Sequence, residues 1–410
     1  MANKKIAVIG GGASGLMAAG EAAQLGADVT LFEKNEKLGK KLIITGKGRC
    51  NVTNLCDING FMQNVATNGK FLYSAINYFT PQDCMDFFES LGVKLEVERG
   101  NRVFPVSDKS FDIIDALKKF AKINGVKIKF NKANKIIIEN DSVTGIDADD
   151  KYSFDRVIIC TGGLSYKSTG SDGDGYRFAR EAGHNITELK ASLVPLETQE
   201  KFCSDLMGLS LKNIKLVIYE NKNKIFEDFG EMLFTHFGVS GPLVLSASSH
   251  IRKIGEKEYK IALDLKPALS PEQLDRRVLS DFEKYKNKDF KNCLDDLLPK
   301  KLIPVFINLL KDIINPEKKV NEITRAERFE LVNLLKNFNL SVKKFRPIDE
   351  AIITCGGVDT REIYSNRLES KFVSGLYFAG EVLDVDAYTG GFNLQIAFAT
   401  GKLAGKCAAD

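Results

Sequence analysis

At 410 residues the chain is long enough for two or three domains and a large buried core. Its formal charge of +4 is nearly balanced, which removes any bulk electrostatic argument for nucleic acid or an anionic membrane as partner. The eight cysteines are scattered without a C-x-x-C pair, against a structural zinc site or a secreted disulfide framework, and no apolar run reaches the ~18 residues of a membrane span.

Met1-Ala2-Asn3-Lys4-Lys5 leads directly into a strand, which leaves no room for a signal peptide, so a cytoplasmic protein is expected. That strand, Ile6-Ala7-Val8-Ile9, is short, apolar and β-branched, as a strand buried on both faces must be. It runs into Gly10-Gly11-Gly12-Ala13-Ser14-Gly15, a match to G-x-G-x-x-G. In such a turn Gly10 permits the bend, Gly12 lets backbone approach a pyrophosphate, and Gly15 allows close helix–strand contact. A small-residue helix carrying Ala18, Ala19 and Ala22 follows and ends at Gly26. A second strand, Val29-Thr30-Leu31-Phe32, then delivers Glu33 at the spacing where a carboxylate accepts ribose hydroxyls. Strand, glycines, helix and acid together predict a dinucleotide site, with phosphate at the helix N-terminus.

The segment from Lys34 to Asn54 is basic, with Lys34, Lys37, Lys40, Lys41, Lys47 and Arg49. Most of these lysines read as a solvated face. Gly46, Gly48, Arg49 and Asn51 form a loop suited to anionic phosphate through backbone N–H groups and a guanidinium. Cys50 beside Arg49 has a neighbouring cation but no partner thiol, and reads as a small packed residue rather than a redox group. Residues 82–91 and 110–123 carry helical apolar spacing, and 126–130 alternates as a strand does. A hairpin is expected over 135–146 around Asn140-Asp141. Arg156–Cys160 is another buried strand, ending in Thr161-Gly162-Gly163.

From 191 to 345 the character changes, and an inserted substrate or cap region is expected, β-rich over 191–265 and helical over 266–338. Ser270-Pro271-Glu272-Gln273 and Thr324-Arg325-Ala326-Glu327 read as capping boxes that start helices. From 346 to 410 the first pattern returns: a strand entering Cys355-Gly356-Gly357, a strand ending at Gly380-Glu381, and Gly390-Gly391-Phe392-Asn393 opening a last helix. The fold class expected is α/β, a Rossmann-type FAD-binding domain split in sequence (1–190 and 346–410) by a barrel-like plus helical insertion. The helix N-terminus at Gly391 suits the negative charge of a reduced flavin.

These ordered motifs carry a resemblance. Over essentially its whole length the chain resembles a family of bacterial FAD-containing oxidoreductases, variously labelled aminoacetone-oxidase-like and 3-dehydro-bile-acid Δ4,6-reductase-like. The matching runs are Gly10–Gly15, Gly46–Asn54, Asn101–Ser107, Thr161–Gly163 with Thr169–Tyr176, Leu233–Pro242, and Gly380–Asp386 through Thr389–Gln395. Two positions depart from the family pattern: Lys167 stands where proline is common, and Ala387 where glycine is usual. On this resemblance the residues expected to bind FAD are Gly10, Gly12, Ala13, Ser14, Gly15, Glu33, Lys34, Lys41, Gly46, Gly48, Arg49, Cys50, Asn51, Ile136, Thr161, Gly162, Gly380, Glu381, Gly391, Phe392, Asn393 and Leu394. His236 and Tyr388 are the candidate proton donors; His184 and His250 read as structural.

No second G-x-G-x-x-G with a following acid is present, so NAD(P)H is expected as a transient electron donor without a domain of its own. The function expected is hydride transfer through flavin N5, with reduction of a conjugated C=C of steroid or bile-acid type leading. An O2-dependent oxidase of amines or aminoketones, a flavin enzyme acting on RNA and a non-catalytic FAD-binding regulator are the rivals. Near-neutral charge makes a nucleic-acid partner unlikely. No metal or membrane partner is expected, and oligomeric state is not legible.

Overall fold

The structure, a computed structural model, describes residues 3–251 and 253–410. Met1 and Ala2, used above in the signal-peptide argument, lie outside the described residues. The chain divides into two compact units, Met1–Ser192 with Pro347–Asp410, and Leu193–Arg346.

The first unit is built on a five-stranded parallel sheet in the order Leu376–Phe378, Arg156–Ile159, Lys5–Ile9, Asp28–Phe32, Lys127–Lys129. Its central strands are apolar because both faces are covered: Ile6, Ala7, Val8, Val157, Ile158 and Ile159 have no exposed surface. Helices Ala13–Gln24 and Phe392–Ala409 pack on each other with unusual closeness. A Cβ at Gly401 would lie 2.3 Å from Ser14 O, and one at Gly405 2.4 Å from Ala18 O. These two glycines, four residues apart on one helix face, set the approach of the last helix to the first. Helix Ser110–Ile123 has the expected span, and the helix expected over 82–91 is Pro81–Ser90, opened by a reciprocal Thr80–Asp83 capping box.

The hairpin over 135–146 is a three-stranded meander, Lys135–Glu139, Ser142–Ala148 and Asp150–Ser153. Its third strand escaped the sequence reading because Asp150-Lys151-Tyr152-Ser153 has no apolar alternation. Two small sheets were also not read from sequence. Thr53–Asn54 and Leu95–Glu98 pair with opposite edges of Arg102–Pro105, and Asp386–Ala387 pairs with Val65–Thr67.

The second unit is a closed antiparallel barrel of six strands. In order around it they are Leu196–Thr198, Gly238–Ser240, Asn223–Thr235, Ser210–Glu220, Tyr259–Asp264 and Phe338–Phe345, the last pairing back to the first. Closure leaves no sheet edge to protect. The insertion is therefore β, then α, then β: the closing strand Phe338–Phe345 lies beyond the helical stretch and was not read from sequence. The helix Pro242–Ser248 lies within the stretch read as β-rich. Helices Pro271–Lys284, Ile303–Leu310 and Arg325–Lys336 pack onto the barrel through Leu274, Phe306 and Leu331, with Phe306 stacked on Phe338 at 5.4 Å between centroids.

Candidate functional site

The glycine turn has the geometry its sequence requires. Gly10 adopts φ +107°, and a Cβ there would lie 2.4 Å from Cys160 O. A Cβ at Gly15 would lie 1.8 Å from Gly10 O, so only glycine lets the helix start this close to the strand. Gly12 is different, since a Cβ there would meet nothing within 4 Å. Its side opens on space, not on protein. Helix Ala13–Gln24 starts at Gly12 with no side-chain cap and no acid in its first turn, leaving its N–H groups and positive dipole end available. Ala13 and Ser14 form that first turn.

Glu33 ends the second strand, buried, with Oε2 accepting from Gly11 N–H at 2.7 Å and Oε1 from Asn35 N–H and Nδ2 at 2.8 and 2.6 Å. These bonds fix the carboxylate beside the glycine turn. Lys34 points elsewhere, into ion pairs with Asp172 at 2.5 Å and Asp174 at 2.9 Å. Gly380, at φ +79°, sits against Ser14: a Cβ there would be 2.6 Å from Ser14 Oγ. Glu381 follows, and Lys41 Nζ bridges its Oε2 at 2.5 Å and Ser165 Oγ at 2.6 Å. Ser165 Oγ and Thr354 N–H both donate to Glu381 Oε1 at 2.9 Å. Lys41 and Glu381 are thus partners of each other within one half-buried polar network.

At the far end, helix Phe392–Ala409 starts at Gly391 (φ +101°), again with no side-chain cap and no first-turn acid. Asn51 approaches it closely, with Oδ1 2.9 Å from where a Gly391 Cβ would be. That Oδ1 is buried and has no hydrogen-bond partner among the described residues. Thr161 Oγ1 is in the same state, facing Gly175. Asn393 clasps Ala387, accepting its N–H at 2.9 Å and donating to its carbonyl at 2.7 Å, which fixes the segment before the turn. Leu394 is half-buried in the same helix turn.

Other expected residues have other surroundings. Gly46 (φ +57°) and Gly48 (φ +89°) form a tight turn, but the Arg49 guanidinium is engaged by Glu98 at 2.6 Å and Asp108 at 2.5 Å, over the Phe104 ring at 4.2 Å. Cys50 is fully buried, and burial pushes its thiol up to about 12, so it is no thiolate at neutral pH. Ile136 is buried in the meander opposite Ile146, and Gly162 (φ +74°) faces Ser171. Tyr388 is half-buried, its N–H donating to Asn64 O at 2.9 Å. His236 belongs to the barrel unit, exposed in the tight turn between Asn223–Thr235 and Gly238–Ser240, against Phe237. His184 is structural in its surroundings, stacked on Phe372 with its ring nitrogens on Glu362 and Ser370.

The residues present fit a dinucleotide. Two bare helix N-termini on glycine turns, open space at Gly12, a fixed acid at Glu33 and a buried open acceptor at Asn51 form a donor and acceptor set that the protein leaves incomplete. Sequence reasoning gave no role to Asp384, Asp386 and Ser192, although the first two lie in the run Gly380–Asp386 that carries the resemblance. Burial, with Asp386 and Asp359 nearby, pushes up the Asp384 carboxyl against hydrogen bonds from Thr187 and Asn68. The signal was present as two acids inside the otherwise apolar run Val382–Ala387.

Comparison with known proteins is consistent over the whole chain. Residues 4–407 match the family model described as HI0933-like protein Rossmann domain. The chain is 34% identical over 414 positions to the 3-dehydro-bile acid Δ(4,6)-reductase of Clostridium scindens, covering 99% of both proteins. It is 32% identical to the ribosomal RNA dihydrouridine synthase of Haemophilus influenzae, covering 96% of this chain and 95% of that one. Among solved structures, the 3-ketosteroid Δ1-dehydrogenase of Sterolibacterium denitrificans shares the fold, with a TM-score of 0.54 at 13% identity over 100% of both chains. No helix among the described residues is long and apolar enough to cross a membrane.

Proposed function

The chain belongs to the HI0933-like Rossmann family and is an FAD-dependent oxidoreductase, and from that premise we propose that it reduces a C=C bond conjugated to a carbonyl, in a small organic substrate of steroid or bile-acid type. The observation that carries this reading is the end-to-end likeness to the Clostridium scindens reductase, 34% over 99% of both chains. When bound, the flavin supplies a hydride equivalent. Glu33 is the acceptor for ribose hydroxyls. The N–H groups at the start of Ala13–Gln24 take the pyrophosphate, and those after Gly391 take the negative charge that accumulates on a reduced ring. Asn51 Oδ1, left without a partner beside Gly391, would serve as a hydrogen-bond acceptor toward the bound group. The Lys41–Glu381–Ser165 network stiffens the turn between these ends, so the acid is held rather than free to approach the ligand. The electron donor we propose is NAD(P)H, docking transiently.

A second reading has a specific observation behind it, the likeness to ribosomal RNA dihydrouridine synthase. Uridine carries a C5=C6 bond conjugated to its C4 carbonyl, so the same addition of hydride and proton would saturate it. The chemistry is shared and the substrate differs. The near-neutral charge and the engagement of Arg49 by two carboxylates favour the small-molecule reading.

Anaerobic titration of the yellow protein with NADH and then NADPH, followed at the flavin band, tests the reading. Rapid bleaching by either nucleotide is expected. Bleaching by dithionite alone would remove the nicotinamide link.

A further inference from the structure

The loop between strand Arg156–Ile159 and helix Asp174–Glu181 is fastened to the rest of its unit by side chains, not by its backbone. Among the described residues no backbone–backbone hydrogen bond joins residues 163–172 to another part of the chain. Those it makes are internal, Thr169 N–H to Tyr166 O and Gly170 N–H to Lys167 O. At the base of the loop Leu164 N–H rests on Thr354 Oγ1 at 2.8 Å. The other fasteners come from the segment that follows Glu33. Lys34 Nζ pairs with Asp172 at 2.5 Å and with Asp174, just past the loop, at 2.9 Å. Asn35 Nδ2 donates to Thr169 O at 3.1 Å, and a Cβ at Gly170 would lie 2.5 Å from that nitrogen. Lys40 Nζ donates to Ser168 O at 3.1 Å and to Asn35 Oδ1 at 3.3 Å. Lys41 Nζ holds Ser165 Oγ at 2.6 Å. Four residues of one short segment thus each hold a different point of the loop.

Strands Arg156–Ile159 and Asp28–Phe32 lie on either side of Lys5–Ile9 and run parallel to it. A loop that leaves the end of the first and is tied just beyond the end of the second passes across the end of the strand between them. That end is the Gly10 turn, which leads into helix Ala13–Gln24. In an open parallel sheet the ligand lies outside the carboxyl ends of the strands. The far tether, Asn35, also holds Glu33 Oε1 through its N–H and Nδ2 at 2.8 and 2.6 Å. The loop therefore spans from the glycine turn to the acid at the end of the second strand. Gly162 (φ +74°) precedes it and Gly173 (φ +92°) follows it, residues that absorb a large backbone change at little cost.

We infer that residues 163–172 form a strap across the cofactor cleft, with Lys34, Asn35, Lys40 and Lys41 as the positioning residues that keep it shut. The dinucleotide then enters and leaves when the strap lifts, and each lysine acts on the strap and not on a phosphate. The tethers are the chain's own, so they oppose opening of the empty and the loaded protein alike. Weakening one raises the rates of entry and release together and leaves the affinity unmoved. A lysine that touched phosphate would behave otherwise: its loss would speed release, leave entry no faster and weaken affinity.

FAD binding to the apoprotein, and its release from the holoprotein into a trapping apoflavoprotein, test this without turnover when both are followed by flavin fluorescence. Lys40→Met removes the hydrogen bonds to Ser168 O and Asn35 Oδ1, and Asp172→Asn weakens the Lys34 tether from the strap's side. Both variants are expected to raise the two rates in parallel, about 10-fold for Lys40→Met and about 3-fold for Asp172→Asn, with the dissociation constant unmoved. The substitutions change the net charge in opposite directions, so a direct electrostatic effect on the phosphates would drive the two variants apart. Hydrogen exchange of the flavin-free protein should show the amides of residues 163–172 exchanging faster in both variants, with the rest of the unit unchanged. Faster release with unchanged entry in Lys40→Met would assign that lysine to the ligand and overturn the inference. Entry and release rates equal to wild type in both variants overturn it equally. Should Lys40→Met fail to fold, Asp172→Asn decides alone by the same criteria. No substrate takes part in these rates, so either outcome leaves the reductase reading where it stands.

Discussion

In the barrel unit the helices Pro271–Lys284 and Arg325–Lys336 each begin with a complete capping box, Ser270 with Gln273 and Thr324 with Glu327. In the nucleotide unit the helices Ala13–Gln24 and Phe392–Ala409 begin at glycines, with no side-chain cap and no acid in the first turn. The same backbone groups, the orphan N–H donors of a helix start, are closed by the chain's own side chains at those two helices of the barrel unit and left open at these two of the other unit, where Pro81–Ser90 by contrast has its own capping box. The difference separates helix starts that folding itself satisfies from two that a ligand would complete. Asn51 Oδ1, without a partner beside Gly391, belongs to the second pattern.

Closing one of the open starts breaks this contrast most severely. Gly12 has φ −86° and ψ −163°, which any residue adopts, and a Cβ there meets nothing. Gly12→Asp should therefore cap the helix and leave the flavin-free protein as stable as wild type or slightly more so. Its carboxylate would occupy the space and repel the pyrophosphate. Flavin affinity should fall at least 100-fold, about 2.7 kcal/mol, measured by fluorescence titration of the apoprotein beside its melting curve. A melting temperature lowered in step with affinity would mean that the site is structural and the contrast wrong.

Glu33→Gln sharpens the same point with a smaller effect. The amide keeps an acceptor but loses the charge that strengthens bonds to ribose hydroxyls, so affinity should fall about 10- to 100-fold. An unchanged affinity would show that Glu33 serves only Gly11 and Asn35. In the barrel unit the opposite outcome is expected. Thr324→Ala removes a satisfied cap and should cost about 1 kcal/mol of stability, seen in denaturant unfolding, with flavin content unaltered.

The smallest effect concerns pH. Burial holds the His184 imidazole below its ordinary 6.5, against the opposing pull of Glu362. As pH falls the unfolded chain takes up this proton before the folded one, so stability is full above about pH 6.5 and declines below it. His184→Gln should flatten the melting temperature between about pH 7 and 5, and a wild-type slope surviving in the variant would assign it to other groups.

The contrast also explains what the sequence made legible. Gly10, Gly12, Gly15 and Glu33 were readable because each answers a local demand, a positive φ, an open face, a close approach or an acid at a fixed spacing. The capping boxes at Ser270 and Thr324 were readable for the same reason. The barrel's closure was not: Phe338–Phe345 joins Leu196–Thr198 across about 140 residues, and no local pattern marks such a pairing. Partners set by tertiary structure were equally hidden. Arg49 read as a cation for phosphate, and Lys34 and Lys41 were expected at the FAD on the resemblance, yet Asp172, Asp174, Glu381, Glu98 and Asp108 reach them from distant segments.

One measurement bears most directly on the central claim. Dithionite-reduced protein, mixed anaerobically in a stopped-flow cell with a conjugated steroid enone, should regain its flavin absorbance and yield the saturated ketone. A flavin that stays bleached with every enone, yet reoxidises rapidly in air with release of peroxide, would contradict the account and identify an oxidase.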